Sequence, residues 1–291
     1  MVTLLQIKKY FQKAGFWEST DFIKQIKESN NNKIFEHNAM ILKKYTHKKN
    51  YIFEKQCLQI LSKKNKKYFP KVLFDDPKNY VLIFNKLPWE TLDKIRLQLP
   101  AKQQSMHISQ LINFLQELRN IPAPKWYSFE KYLKNEVKKY YNKAKENPYM
   151  QKENIKKLYE YIIKNLHIFS QQKSILIYSD FWVKNILADK KTITGIIDFE
   201  TWCYAPLCIE WYKILYTLFS IKNWWDDTSA AEQDFMKKFF QISKKKYPEL
   251  FLSNPEQSKI YHGVEYIKKL SRYKQKRYSH KEVENFHKEF L

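Results

Sequence analysis

Three polar residues whose types suit phosphoryl chemistry stand close together between Tyr178 and Glu200. Asp180 is followed, after Phe181-Trp182-Val183-Lys184, by Asn185, and a pair of short apolar runs then ends in Ile196-Ile197-Asp198. One carboxylate can take the proton of an attacking hydroxyl, while an amide oxygen and a second carboxylate hold magnesium against the phosphates of a nucleotide. All three are needed because the loose transition state leaves a protein little to do beyond positioning and charge stabilisation.

The segment Tyr178-Ser179-Asp180 … Asn185 … Ile197-Asp198-Phe199 resembles the His-Gly-Asp-x-x-x-x-Asn … Ile-Asp-Phe/Trp signature of the aminoglycoside phosphotransferase and choline kinase family. That resemblance implies a protein-kinase-like fold, ATP and Mg2+ as cofactors, Asp180 as catalytic base, and Asn185 and Asp198 as magnesium ligands. It further implies that Lys43, in Met40-Ile41-Leu42-Lys43-Lys44-Tyr45, steadies the α- and β-phosphates; Lys44 competes for the role, and only strand register separates them. Glu54 stands where the family pairs a helix glutamate with that lysine. Backbone groups at positions matching Asn85 and Leu87, in Leu82–Pro88, would bond the adenine edge. Glu200 reads as a solvated or supporting carboxylate, and Glu210 stands near the family's Asp that closes this region.

Two departures carry their own expectations. Tyr178-Ser179 replaces His-Gly, and an aromatic ring with a hydroxyl can brace the loop as the histidine does. Asn30-Asn31-Asn32 stands where glycines would form the phosphate-covering turn, and asparagine is the residue that next best tolerates left-handed backbone. The chain lacks Asp-Phe-Gly, Ala-Pro-Glu and a long segment after Asp198, which argues against a protein kinase.

These groups need elements to position them. Residues 2–14 read as a short helix, and Phe22–Leu42 holds three apolar runs split by polar turns, the pattern of three antiparallel strands. A helix over about 51–62 follows, with Phe53, Cys57, Leu58 and Leu61 at helical spacing. Val72-Leu73-Phe74 and Tyr80–Phe84 flank the turn Asp75–Asn79. Residues 1–86 therefore predict a nucleotide-binding lobe built on a small five-stranded antiparallel sheet. After the connector Leu87-Pro88-Trp89, helical patterns over 104–120, 128–145, 152–168, 207–221, 230–246, 257–273 and 281–290 predict a mainly helical lobe over 87–291 that carries the acceptor site. The fold class is α+β, with two lobes and a cleft between them.

Composition narrows the setting. The 291 residues are 44% hydrophobic, enough for a core without disulfides or structural metal, and Cys57, Cys203 and Cys208 show no metal-ligand spacing. No apolar run is long enough to span a membrane, and the start shows no secretory pattern, so a cytoplasmic protein is expected. A net charge of +23 raises nucleic acid as a partner. Against it, Arg96, Arg119, Arg272 and Arg277 are the only arginines, and guanidinium is what dedicated nucleic-acid binders favour. The expected partner is a small-molecule hydroxyl acceptor: an amino sugar, choline or ethanolamine, or a saccharide precursor. Trp224-Trp225-Asp226-Asp227 could box its ammonium group or simply fill an interhelical loop. Two rivals remain: a non-catalytic nucleotide-binding module on the same fold, and a nucleic-acid-associated protein using the cluster Lys268–Arg277. Oligomeric state has no readable signal.

Overall fold

A computed structural model describes residues 4–16, 22–29, 31–64, 68–88, 90–147, 152–181, 183–218, 229–251 and 254–271. In chain order the helices are α1 (Leu4–Lys13), α2 (Lys48–Lys64), α3 (Leu92–Ile95), α4 (Ala101–Arg119), α5 (Phe129–Ala144), α6 (Lys152–Asn165), α7 (Leu207–Leu218), α8 (Ala230–Lys246) and α9 (Pro255–Leu270). The strands are β1 (Lys24–Glu28), β2 (Asn32–His37), β3 (Met40–Tyr45), β4 (Val72–Asp76), β5 (Val81–Asn85), β6 (Glu90–Thr91), β7 (Ile175–Ile177), β8 (Ile186–Ala188), β9 (Ile193–Ile196) and β10 (Cys203–Ala205). The sequence-predicted segment 281–290 lies outside the described residues. The described chain divides into two compact units: residues 1–114, 178–203 and 214–242, and residues 115–177, 204–213 and 243–291.

The first unit holds a five-stranded antiparallel sheet in the order β1-β2-β3-β5-β4. Both faces of the sheet are covered. Phe35, Met40, Leu42, Val81 and Ile83 pack with Ile7 and Phe11 of α1 on one face. Tyr45, Leu82 and Phe84 pack with Tyr51 of α2 on the other. Period-two alternation thus sends Ile41, Lys43 and Tyr45 to the α2 face, whereas Leu42 and Lys44 point the other way. Helix α2 buries Tyr51, Glu54, Cys57, Leu58 and Leu61, a stripe at i, i+3, i+6, i+7 and i+10 that includes one carboxylate.

A second, small sheet, β6-β8-β9, carries the Asp180–Asp198 segment. Its hairpin closes through Asp189, whose Oδ1 accepts from the N–H groups of Lys191 (2.6 Å) and Thr192 (2.7 Å). Gly195 of β9 lies opposite Leu187, and a Cβ there would meet the end of the Leu87 side chain, which would have to move aside. The sequence pattern does not reveal β6 and α3, whose two and four residues carry too little periodicity.

In the second unit α5, α6 and α9 bury Leu133, Val137, Ile155, Leu158, Ile162, Val264 and Ile267. Ser128 caps α5 by accepting from Lys131 N–H, and Asn254 caps α9 with Pro255 at its first position. No described helix is long and apolar enough to cross a membrane.

Candidate active site

The site lies wholly within the first unit and begins with Lys43. Its side chain is 3% exposed, and its Nζ stands 2.7 Å from Glu54 Oε2, 2.7 Å from Asp198 Oδ1 and 3.4 Å from Glu200 Oε2. Burial on its own would lower the lysine pKa, but the three carboxylates more than offset it and hold the pKa above its ordinary value. Lys44, on the opposite face, donates instead to the Asn79 carbonyl. Of the two lysines the motif offered, the strand register puts Lys43 among the acidic groups.

Glu54 is held by three donors: Lys43 Nζ, Tyr45 Oη (2.7 Å) and, with its other oxygen, Phe199 N–H (3.3 Å). Burial raises its pKa, against the pull of Lys43. Tyr45 was not singled out from sequence, although i, i+2 spacing already sets it on the face of Lys43.

Asp198 adopts φ of 66°, left-handed backbone that a non-glycine residue takes at a cost of about 1–2 kcal/mol. Such strain collects where neighbours over-determine a functional residue. Here Ile197 N–H donates to the Asn185 carbonyl (2.9 Å), and the buried Tyr178 hydroxyl donates to the Ile197 carbonyl. Tyr178 also packs its ring against Phe199 and Phe181, so it braces both ends of the segment. Burial would raise the Asp198 pKa, but Lys43 overrides it and holds the carboxyl below its ordinary value.

Asn185 Nδ2 donates to both the carbonyl and Oδ2 of Asp180, each at 3.1 Å. The amide is thereby oriented with Oδ1 turned away from Asp180. The Asp180 pKa is raised, first by burial and then by the charge of Asp198.

Of the two places the sequence left open for Glu200, solvated or supporting, the structure gives the supporting one. Glu200 is 8% exposed, and Oε2 accepts from Asn32 Nδ2 at 3.0 Å. The partner lies 168 residues earlier, so local sequence carries no sign of the pair. Of the Asn30-Asn31-Asn32 turn, Asn30 lies outside the described residues. Neither Asn31 nor Asn32 is left-handed; the positive-φ non-glycine residues described are Asn38, Tyr80 and Asp198. Instead Ser29 Oγ accepts from the N–H groups of Asn31 and Asn32, both at 3.2 Å, and Ser29 N–H donates to Asn32 O at 2.9 Å.

A cavity of 510 Å³ lies against this cluster, lined by Ile26, Ile34 and Ile41 of the sheet, by Lys43, Asn185 and Asp198, and by Asn85 and Leu87. That volume falls within the range of small-molecule sites. The Asn85 N–H is committed to the Lys71 carbonyl (3.2 Å), which leaves its carbonyl as the group able to meet a ligand. Carboxylate oxygens of Glu54, Asp198 and Glu200 lie within 4.8 Å of one another around the Lys43 ammonium, and the Asp198 carboxylate with the Asn185 amide oxygen offers the hard oxygen donors that magnesium takes. Trp224–Asp227 and the Arg272–Arg277 part of the basic cluster lie outside the described residues.

The sequence profile of the phosphotransferase enzyme family (APH) matches residues 23–236. No curated protein matches the chain by sequence. Among solved structures, the ADP-bound aminoglycoside phosphotransferase APH(2'')-Ib is similar over 97% of this chain and 96% of its own, with a TM-score of 0.66 at 16% identity. The streptomycin-ATP-APH(2")-IIa ternary complex covers 92% of this chain and 91% of its own, with a TM-score of 0.66 at 18% identity. A thermostable mutant of APH(4)-Ia in its apo form covers 97% and 94%, with a TM-score of 0.64 at 13% identity. At these identities the likeness speaks for the fold alone. Together with the profile match over most of the length, it shows that the chain belongs to the phosphotransferase enzyme family and has its protein-kinase-like fold.

Proposed function

We propose that this protein is an ATP- and Mg2+-dependent phosphotransferase that moves the γ-phosphoryl group onto a hydroxyl of a small molecule. The observation that carries the reading is the meeting of Lys43, Glu54, Asn185 and Asp198 beside one nucleotide-sized cavity, with Asp180 bonded to Asn185. In this reading the Asn85 carbonyl and the Leu87 N–H meet the adenine edge, and Ile26, Ile34 and Ile41 cover its faces. Lys43, fixed by Glu54, reaches the α- and β-phosphates.

Asn185 Oδ1 and the Asp198 carboxylate are the groups that would hold magnesium, with Glu200 close enough to assist. Bound there, the ion would neutralise charge on the phosphates. Asp180 accepts the proton of the acceptor hydroxyl. Its raised pKa makes it a stronger base than an ordinary carboxylate, and its bond to Asn185 fixes its direction. Residues 1–86 would supply the nucleotide groups, and residues 87–291 the base and the acceptor-binding groups, in a cytoplasmic enzyme whose three cysteines are free thiols.

The acceptor classes are amino sugars, choline or ethanolamine, and saccharide precursors. The structures of aminoglycoside phosphotransferases named above give amino sugars first place in a screen. The test is ATP consumption with magnesium across these acceptors. Turnover that needs one acceptor and vanishes in Asp180→Ala, while nucleotide still stabilises the variant, supports an enzyme. Nucleotide binding with no turnover on any acceptor indicates a binding module. Salt-sensitive RNA binding with no effect of ATP would overturn the reading altogether.

A further inference from the structure

Among the described residues of the turn between β1 and β2, few backbone donors are left for a nucleotide. A phosphate cradle works by aiming successive backbone N–H groups at the anion. Here the N–H groups of Asn31 and Asn32 point to Ser29 Oγ, and that of Ser29 points to the Asn32 carbonyl. If triphosphate binds in this cavity, donors other than these three N–H groups supply its positive partners on this side.

The register of β1 points to that group. Gln25 pairs with Phe35, so an uninterrupted ladder would set Ile26 opposite Ile34 and Lys27 opposite Lys33, on the face toward α1. Instead the register shifts between Gln25 and Lys27, so that Lys27 opposes Ile34 and Glu28 opposes Lys33. One extra residue flips the side chains that follow it. The bulge therefore turns Lys27 onto the face of Ile34, and both Ile26 and Lys27 line the cavity. The whole of β1 is exposed, so this lysine is open to a ligand.

Charge accounting favours the same residue. Of the three other lysines lining the cavity, Lys43 faces three carboxylates, Lys86 is paired with Glu36 at 2.5 Å, and Lys184 stands beside Asn185 on the Asp180–Asp198 segment rather than on the sheet side. One ammonium against three carboxylates leaves the inner site formally anionic, a poor host for polyphosphate unless further cations join it. Lys27 and Lys184 line the same cavity as Asp198, and the charge of both helps to hold the Asp198 carboxyl below its ordinary value.

We propose that Lys27, delivered by the β1 bulge, is a phosphate-binding residue that replaces the backbone donors a glycine-rich turn would provide. This rests on the nucleotide-binding reading above. The test is titration calorimetry with magnesium and ATP, ADP or adenosine, on wild type, Lys27→Ala, Lys27→Arg and Lys24→Ala. Lys24 lies on the same strand and carries the same charge but does not line the cavity, so it controls for the general field.

Loss of a charge-assisted contact predicts about tenfold weaker ATP binding in Lys27→Ala. Adenosine affinity should stay unchanged, Lys27→Arg should recover most of the loss, and Lys24→Ala should bind as wild type does. Wild-type ATP binding combined with unaltered ATP binding by Lys27→Ala overturns this inference and leaves the nucleotide reading standing. Equal weakening by Lys24→Ala, or equal weakening toward adenosine, overturns it too. Failure of wild type to bind ATP at all removes both.

Discussion

Replacing Lys43 with methionine tests the electrostatic centre of the site without any substrate. The side chain of Glu54 is 3% exposed, that of Glu200 9% and that of Asp198 19%, and Lys43 is the cation close to all three. Methionine fills similar space but leaves Glu54 with Tyr45 and Phe199 as donors and leaves Asp198 without its 2.7 Å partner. Breaking a buried pair by removing one member destabilises by about 3–5 kcal/mol, and the partial exposure of Asp198 argues for the lower figure, about 3 kcal/mol.

The pH dependence follows from the direction of each shift. In wild type the raised Lys43 pKa contributes stability that is present below its unfolded value of about 10.4 and is lost as pH rises through the folded value. The lowered Asp198 pKa contributes stability that is present above about 3.9 and is lost as pH falls through its folded value. In Lys43→Met the buried carboxylates resist ionisation, so the folded state holds extra protons and stability falls as pH rises from about 4 to 7. Urea denaturation at pH 5 and pH 7 reads this directly. The deficit should be near 3 kcal/mol at pH 7 by the figure above, smaller at pH 5, and reduced in the double variant Lys43→Met/Glu54→Gln. A deficit below about 1 kcal/mol that does not change with pH would show that the cluster is not an electrostatic unit.

Two further outcomes come from groups around and beyond the cluster. Glu210 is buried, and its pKa is pushed up to about 8, by burial first, with Tyr247 donating to one oxygen and Arg119 opposing the rise. A raised carboxylate pKa makes the folded state lose stability as pH climbs from about 4 toward 8. Glu210→Gln should therefore gain on wild type by at least about 1 kcal/mol between pH 5 and pH 8 in urea titrations, since each pKa unit is worth about 1.4 kcal/mol. A difference independent of pH would refute it. Tyr178→Phe keeps the ring packing but loses the bond to the Ile197 carbonyl. The expected loss is about 1 kcal/mol of stability, together with weaker stabilisation by magnesium-ATP because the backbone leading to Asp198 is less fixed. Unchanged behaviour on both counts would deny Tyr178 its bracing role.

What the sequence made legible was whatever local periodicity encodes. Alternation in Met40–Tyr45 separates the faces of Lys43 and Lys44, and the five-stranded sheet follows from apolar runs divided by turn residues. Glu54 was readable in principle. It falls at the i+3 position of a buried stripe running from Tyr51 to Leu61, and a carboxylate on such a stripe implies a partner. Three features stayed hidden for a common reason. The burial of Glu200 depends on Asn32, the β1 bulge depends on the register of β2, and the burial of Glu210 depends on a tyrosine 37 residues later.

That contrast bears on how a glycine-free turn is to be understood. Read residue by residue, Ser29–Asn32 looks like a phosphate turn that has lost the glycines it needs. In the folded chain Ser29 ties the N–H groups of Asn31 and Asn32, and Asn32 is anchored to Glu200. The strand leading into it carries an extra residue that brings a lysine to the cavity. A turn decaying without function would have no reason to keep a buried tie to the carboxylate two residues past Asp198. Backbone rigidity and a side-chain cation can do together what flexible glycines do elsewhere. Asn32→Ala then becomes informative. If the tie positions the turn over the nucleotide, its loss should weaken ATP more than adenosine; equal weakening would reduce Asn32 to a packing role.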